Sequence, residues 1–185
     1  MSGTSHTSKG EERAQAACRA SRLRRRAGAS LAVAVIAAIA VQGILLYNRL
    51  PGQLPNPWGN RYGSGWVQKE PFIFYGPLLV CALVVGLMAL LPIRIKGSNW
   101  PPPTEPPALR DAITVPFEEG VSFAVSLGGV AYSLWVRNSW QAALGERDFA
   151  SPSVIAGLVG IGIVLAISGS VATMRRGNAA GIPFG

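Results

Sequence analysis

The chain has 185 residues, 49% of them hydrophobic and only 14% charged, with a mean hydropathy of +0.31. A soluble domain of this size carries about a quarter charged residues, so the composition argues against a water-soluble globule and for lipid. Seventeen Lys and Arg against nine Asp and Glu give a formal net charge of +8; the single histidine, His6, and two cysteines in unlike settings, Cys18 and Cys81, exclude a disulfide framework and offer no metal-ligand spacing.

In chain order, residues 1–28 are polar and basic and include the run Arg22-Leu23-Arg24-Arg25-Arg26. They hold too few large apolar side chains to build a core, which predicts a disordered cytoplasmic tail. Residues 29–47 form the first apolar run, close to the roughly 20 residues a helix needs to cross the hydrocarbon. That run is longer than the roughly 7 to 15 apolar residues of a cleaved leader and lacks an A-x-A-like site before Asn48, so it reads as an uncleaved signal anchor. An outer loop, 48–71, precedes the second run, 72–91, which has Pro77 inside it. The next loop, 92–116, contains Trp100-Pro101-Pro102-Pro103-Thr104-Glu105-Pro106-Pro107, whose proline density favours polyproline II, as a stiff spacer or, the less favoured reading, a docking strip for an aromatic groove. A third run, 117–136, starts on Glu118 and Glu119; a short loop, 137–151, leads to a fourth, 152–173, which carries no charge and ends before Arg175-Arg176 in the tail 174–185. Backbone amides in lipid must be satisfied within the segment, and none of these runs alternates like a barrel strand. The expected fold is therefore all-α: a four-helix transmembrane bundle with a disordered basic N-terminal tail.

Charge sets the expected orientation. The side holding the N-terminal tail, the second loop and the C-terminus carries 12 Lys and Arg, and the other side carries 5. Positive charge stays on the cytoplasmic side, so both termini are expected there, in a multi-pass protein of the plasma membrane. The arginine cluster next to a spanning helix is explained by insertion and by anionic headgroups. Without interleaved aromatics it is a poor nucleic-acid footprint, and the lipid bilayer is the expected partner. No nucleophile–base pair or metal constellation can be assembled, which predicts a non-enzymatic protein without a cofactor.

Glu118 and Glu119 are the acids that could enter hydrocarbon. One reading makes them titrating groups on an ion or proton path; the other, favoured because no deeper partner exists, puts them in the first turn of the third helix, complementing its dipole. Small residues spaced at four, namely Gly120, Ala124 and Gly128 on the third run and Gly162, Ala166 and Ser170 on the fourth, predict close helix packing within the bundle.

The most distinctive text is the outer loop, Leu50-Pro51-Gly52-Gln53-Leu54-Pro55-Asn56-Pro57-Trp58-Gly59-Asn60-Arg61-Tyr62-Gly63-Ser64-Gly65-Trp66-Val67-Gln68-Lys69. Physically it is a Pro/Gly-punctuated turn whose Trp58, Tyr62 and Trp66 suit the headgroup level. It resembles the corresponding loop of the DUF1648 family of bacterial membrane proteins, which includes the SdpI-type immunity proteins and reads approximately L-P-x-x-I-P-x-H-W-N-x-x-G-x-x-D-G-W-x-x-K. Leu50, Pro51, Leu54, Pro55, Trp58, Gly65, Trp66 and Lys69 match, with one residue fewer between the tryptophans; Pro57 stands at the family's His, Ser64 at its Asp, and Asn60 can serve as its Asn. The resemblance implies peptide sensing or immunity through the outer loop, with Pro55, Trp58, Asn60, Trp66 and Lys69 as candidate recognition residues and an extracytoplasmic peptide or membrane-protein partner. The alternative is an accessory or structural subunit of an envelope or transport complex.

Overall fold

The computed structural model describes residues 5–55, 65–90, 101 and 104–182. Within these lie four α-helices, α1 (Ser5–Leu46), α2 (Pro71–Leu90), α3 (Pro107–Ala143) and α4 (Pro152–Ala179), and two short strands, β1 (Gln53–Pro55) and β2 (Trp66–Gln68). Three of the helices are long and apolar enough to cross a membrane: α1 over Gln15–Arg49, α2 over Pro71–Met88, and α4. These three suit a membrane protein; α3, the expected third span, does not meet the same measure.

The basic segment expected to be a disordered tail is instead the first half of α1. Its buried positions are Cys18, Ser21, Arg25, Ala29, Ala32, Ile36, Ile39 and Gly43. The steps of three and four keep one face inward along the whole stretch, so a single seam joins the polar half to the apolar half. Small side chains and one paired arginine fill that seam where large apolar groups are missing. At 42 residues α1 is about 63 Å long, roughly twice the hydrocarbon thickness.

Helix α3 also exceeds its expected bounds of 117–136. It starts at Pro107, where the last proline of the Pro-rich run takes the first helical turn and needs no amide donor. It ends in a Schellman motif: Glu146 N–H donates to Gln141 O (2.9 Å), Gly145 N–H to Ala142 O (3.1 Å), and Gly145 adopts φ +71°. Glu118 and Glu119 therefore sit three turns inside the helix, and the first-turn dipole argument does not apply to them. The C-terminal end of α1 and both ends of α2 agree with the sequence expectation to within a residue, and α4 continues six residues beyond 173.

The helices run up-down-up-down. Arg25 of α1, Met88 at the end of α2, Glu118 of α3 and Arg176 of α4 share one end of the bundle. Tyr47, Phe74 and Trp140 share the other, with Phe74 stacked on Trp140 at 4.4 Å between ring centroids and edge-on to Tyr47 at 5.2 Å. Gly43 makes room for that aromatic nest, since a Cβ there would lie 2.7 Å from the Trp140 ring. Helix α3 is central: it packs on α1 and α2 with one face and on α4 with the other, while α4 rests chiefly on α3. The inward face toward α1 and α2 includes Ser122, Ser126 and Ser133, all buried. Ser126 donates to Ser122 O (2.9 Å) and Ser133 to Gly129 O (2.7 Å), so these hydroxyls are satisfied within the helix itself.

Contact between α3 and α4 is backbone to backbone. A Cβ on Gly120 would meet Leu165 O at 2.5 Å, one on Gly162 would meet Ala124 Cα at 3.3 Å, and one on Gly169 would run into Pro116 O. The expected pairing of small residues holds for Gly120, Ala124 and Gly162; Gly128 has nothing within 4 Å, and Gly169 supplies the close contact the spacing rule missed. Pro116 fixes the register. Lacking an N–H, it cannot bond to Ala112 O; that carbonyl accepts from Arg176 Nη1 (2.9 Å), and the next amide, Phe117 N–H, donates to Thr173 Oγ1 (3.0 Å).

Candidate functional site

The loop after α1 opens with a 3-10 turn, Tyr47–Arg49, and β1 and β2 then pair antiparallel with Leu54 opposite Val67 and Pro55 opposite Trp66. An all-α expectation had no place for this hairpin. Leu50 and Leu54 are buried in the same core as Phe74 and Trp140, which anchors the hairpin base to the bundle. Gly65 adopts φ +74°, a conformation costly for other residues, just where β2 begins.

Lys69 is the keystone of this base. Its ammonium donates to Tyr47 O (3.0 Å) and Leu50 O (2.8 Å) and lies 4.9 Å from the centre of the Tyr47 ring, while its own amide donates to Gly52 O (2.8 Å). Tyr47 O also accepts from Leu50 N–H (3.4 Å), so the ammonium adds a second bond there and answers Leu50 O beside it; a cation just past the end of α1 also complements the helix dipole. Lys69 thus positions the loop. Replacing Lys69 by Ala is expected to loosen the hairpin by about 1–3 kcal/mol, the cost of stranding part-buried acceptors. Faster cleavage of the loop by protease, with the chain in detergent, would report it.

Of the candidate recognition residues, Pro55 is half-buried and Trp66 is 52% exposed, side by side across the hairpin. Trp58 and Asn60 lie outside the described residues, as does most of the Trp100 to Pro103 strip. Beside Pro55 runs an open groove of about 540 Å³ where α3 ends and α4 begins, lined by Trp135, Asn138, Ser139, Asp148, Pro152 and Ile155 among others. Sequence reading missed it because its walls come from the ends of two helices and a turn. The turn is clamped: Asn138 Nδ2 donates to Ala150 O (2.7 Å) and Asn138 Oδ1 accepts from Ala150 N–H (3.0 Å). Ser151 caps α4 by accepting from Val154 N–H (3.4 Å), with Pro152 in the first turn. Next to groove-lining Asn138, Arg137 is buried, donates through Nε to Gln42 Oε1 of α1 (3.0 Å) and lies 5.4 Å from the Phe149 ring centre.

At the opposite end, Glu118 and Glu119 meet the arginine cluster. Arg24 pairs with Glu119 at 2.7 Å, and the 4%-exposed side chain of Arg25 pairs with Glu118 and donates to Met88 O at 3.0 Å. Sequence reading gave these acids no partner within the bundle because it had placed the arginines in a disordered tail. Among the described residues no group of three or more His, Cys, Asp or Glu side chains converges that could hold a metal ion.

Compared with known proteins, the chain matches no family model, no curated protein and no solved structure.

Proposed function

We propose that the chain is a multi-pass protein of the plasma membrane, crossing it four times with both ends in the cytoplasm, and that its outer face recognises an extracytoplasmic peptide or membrane-protein partner without catalysis. For the fourth crossing, the support is the central place of α3. A helix packed between α1 and α4, both apolar enough to span, has to share their depth. Its serines face inward and its acids meet arginines, so its polarity is answered inside the bundle. Cysteines placed at the exposed positions Gln53, Arg147 and Ala180, in a background with Cys18 and Cys81 replaced by Ser, test this. An impermeant maleimide is expected to label the first two from outside the cell and Ala180→Cys only after permeabilisation. Protection of Arg147→Cys with labelling of Ala180→Cys from outside would remove the α3 crossing.

Recognition rests on one observation, the groove lined by Pro55 and exposed Trp135, with exposed Trp66 paired to Pro55 across the hairpin. Aromatic edges over a rigid, clamped base suit an extended peptide, because little order has to be created on binding. The DUF1648 resemblance lends support in kind: its matching residues Leu50, Leu54, Gly65 and Lys69 are those that seat the hairpin here. A photo-crosslinking residue at Trp66 or at Trp135 in intact cells is expected to join the chain to the same extracytoplasmic partner. One at Ile161, on the exposed face of α4, is expected to join it to lipid alone. Lipid adducts alone at all three positions would sink the recognition reading. A partner captured only through the Pro-rich strip would favour an accessory subunit.

A further inference from the structure

The five arginines between residues 19 and 26 divide into two sets. Arg24 and Arg25 turn toward α3 and pair with Glu119 and Glu118. Arg19, Arg22 and Arg26, three and four residues apart, fall on another face of α1 and make no ion pair with any described residue. Together with Leu23 they line an open groove of about 310 Å³. Arg19 and Arg22 also border a smaller recess of about 150 Å³, completed by Gln15, Cys18, Ala108 and Asp111, so one carboxylate lies near the far end of the row. Leu23 is 68% exposed, an isobutyl group left bare amid guanidiniums.

Depth along α1 gives this combination its meaning. Arg26 stands three residues, about 4.5 Å, before Ala29, where the apolar run begins, and Arg19 about 15 Å before it. The row therefore crosses the headgroup layer of the leaflet in which α1 starts, and Leu23 lies within it. Anionic groups are concentrated there, and a guanidinium offers a planar fork that grips phosphate oxygens in pairs. An exposed leucine is costly in water and favoured against the upper part of an acyl chain.

We propose that Arg19, Arg22 and Arg26, with Leu23, form a binding site for the phosphate headgroup of an anionic phospholipid. The two outer arginines are about 10 Å apart along the helix axis, a span that fits a headgroup carrying two phosphates better than one carrying a single charge. Glu118 and Glu119 give the site its definition. By holding Arg24 and Arg25 against α3, they leave three arginines, rather than a diffuse belt of five, to face the lipid.

The test is native mass spectrometry of the full chain in detergent, titrated with cardiolipin, with phosphatidylglycerol or with phosphatidylcholine. Retention is expected to rank in that order. Near a membrane surface each basic residue is worth a factor of roughly 5 in binding, so the triple variant R19Q/R22Q/R26Q is expected to lose cardiolipin affinity roughly 100-fold. Because that variant also removes positive charge needed for insertion, R19K/R22K/R26K serves as the second arm. It keeps the charge and topology but loses the forks, and its affinity is expected to fall between the other two. Cardiolipin bound by the lysine variant as tightly as by the parent would overturn the site in favour of unspecific charge attraction. Displacement of the lipid by millimolar inorganic phosphate would overturn the lipid as its occupant. Equal retention of phosphatidylcholine and cardiolipin by the parent chain would overturn the proposal outright.

Discussion

Replacing Glu118 by Gln is expected to destabilise the protein by about 3–5 kcal/mol, the usual cost of stranding one member of a buried ion pair. Arg25 is almost fully enclosed, between Glu118 on α3 and the Met88 carbonyl near the end of α2. A glutamine can still accept a hydrogen bond but brings no countercharge to the enclosed guanidinium. The neighbouring pair predicts the contrast. The Arg24 side chain is 59% exposed, so water and salt screen its attraction to Glu119, and Glu119→Gln is expected to cost about 1 kcal/mol or less. Unfolding of both variants in the same detergent, followed by circular dichroism, separates the two cases. Equal losses would mean that burial of Arg25 counts for nothing. A titrating role for Glu118 makes a different prediction, namely pH-dependent flux in vesicles that the Gln variant abolishes.

The second large effect is expected at the α3–α4 contact. Alanine at Gly120 or Gly169 puts a methyl group onto a backbone carbonyl, Leu165 O or Pro116 O, which no rotamer change can move aside. Overpacking of this kind costs about 1–3 kcal/mol, and here the upper end applies because both partners are main chain. The two substitutions press on the same crossing, so their effects should not simply add. Alanine at Gly157 or Gly160, where nothing lies within 4 Å, is expected instead to be neutral or to stabilise by about 0.5–1 kcal/mol through helix propensity. Opposite signs at equivalent-looking glycines of one helix would establish which face of α4 holds α3; a loss of equal size at all four sites would contradict the packing.

These two sites mark how far the sequence could be read. The apolar runs of α1, α2 and α4 were plain because lipid-facing helices must be apolar over most of their circumference. The amphipathic first half of α1 was hidden. Its inward stripe of Cys18, Ser21 and Arg25 consists of small or charged residues, and only a partner's surface makes such a stripe an interior. The same holds for α3. Flanked on two faces by other helices, it carries Ser, Gly and Glu where an isolated span carries Leu, and so its true length of 37 residues and its acid–base contacts were invisible to hydropathy. The hairpin was obscured for another reason: three-residue strands are too short to show a period, and their pairing depends on Lys69, Leu50 and Leu54, which act through contacts far apart in the chain. Lys69 was legible as a residue of interest but not in its role, because a lysine that caps carbonyls and one that awaits a ligand look alike in sequence.

The pairing of Arg24 and Arg25 with Glu119 and Glu118 also bears on the birth of the molecule. Ribosomal synthesis delivers α1 well before α3, so on the four-span reading the arginines are already lodged at the membrane surface when the acidic helix emerges. A segment too polar to partition by itself then finds its countercharges waiting, and its entry is a docking event as much as a transfer into oil. Permuting the chain so that α3 precedes α1 would leave every contact in the finished bundle available, yet deprive the third helix of its escort at the moment it needs one.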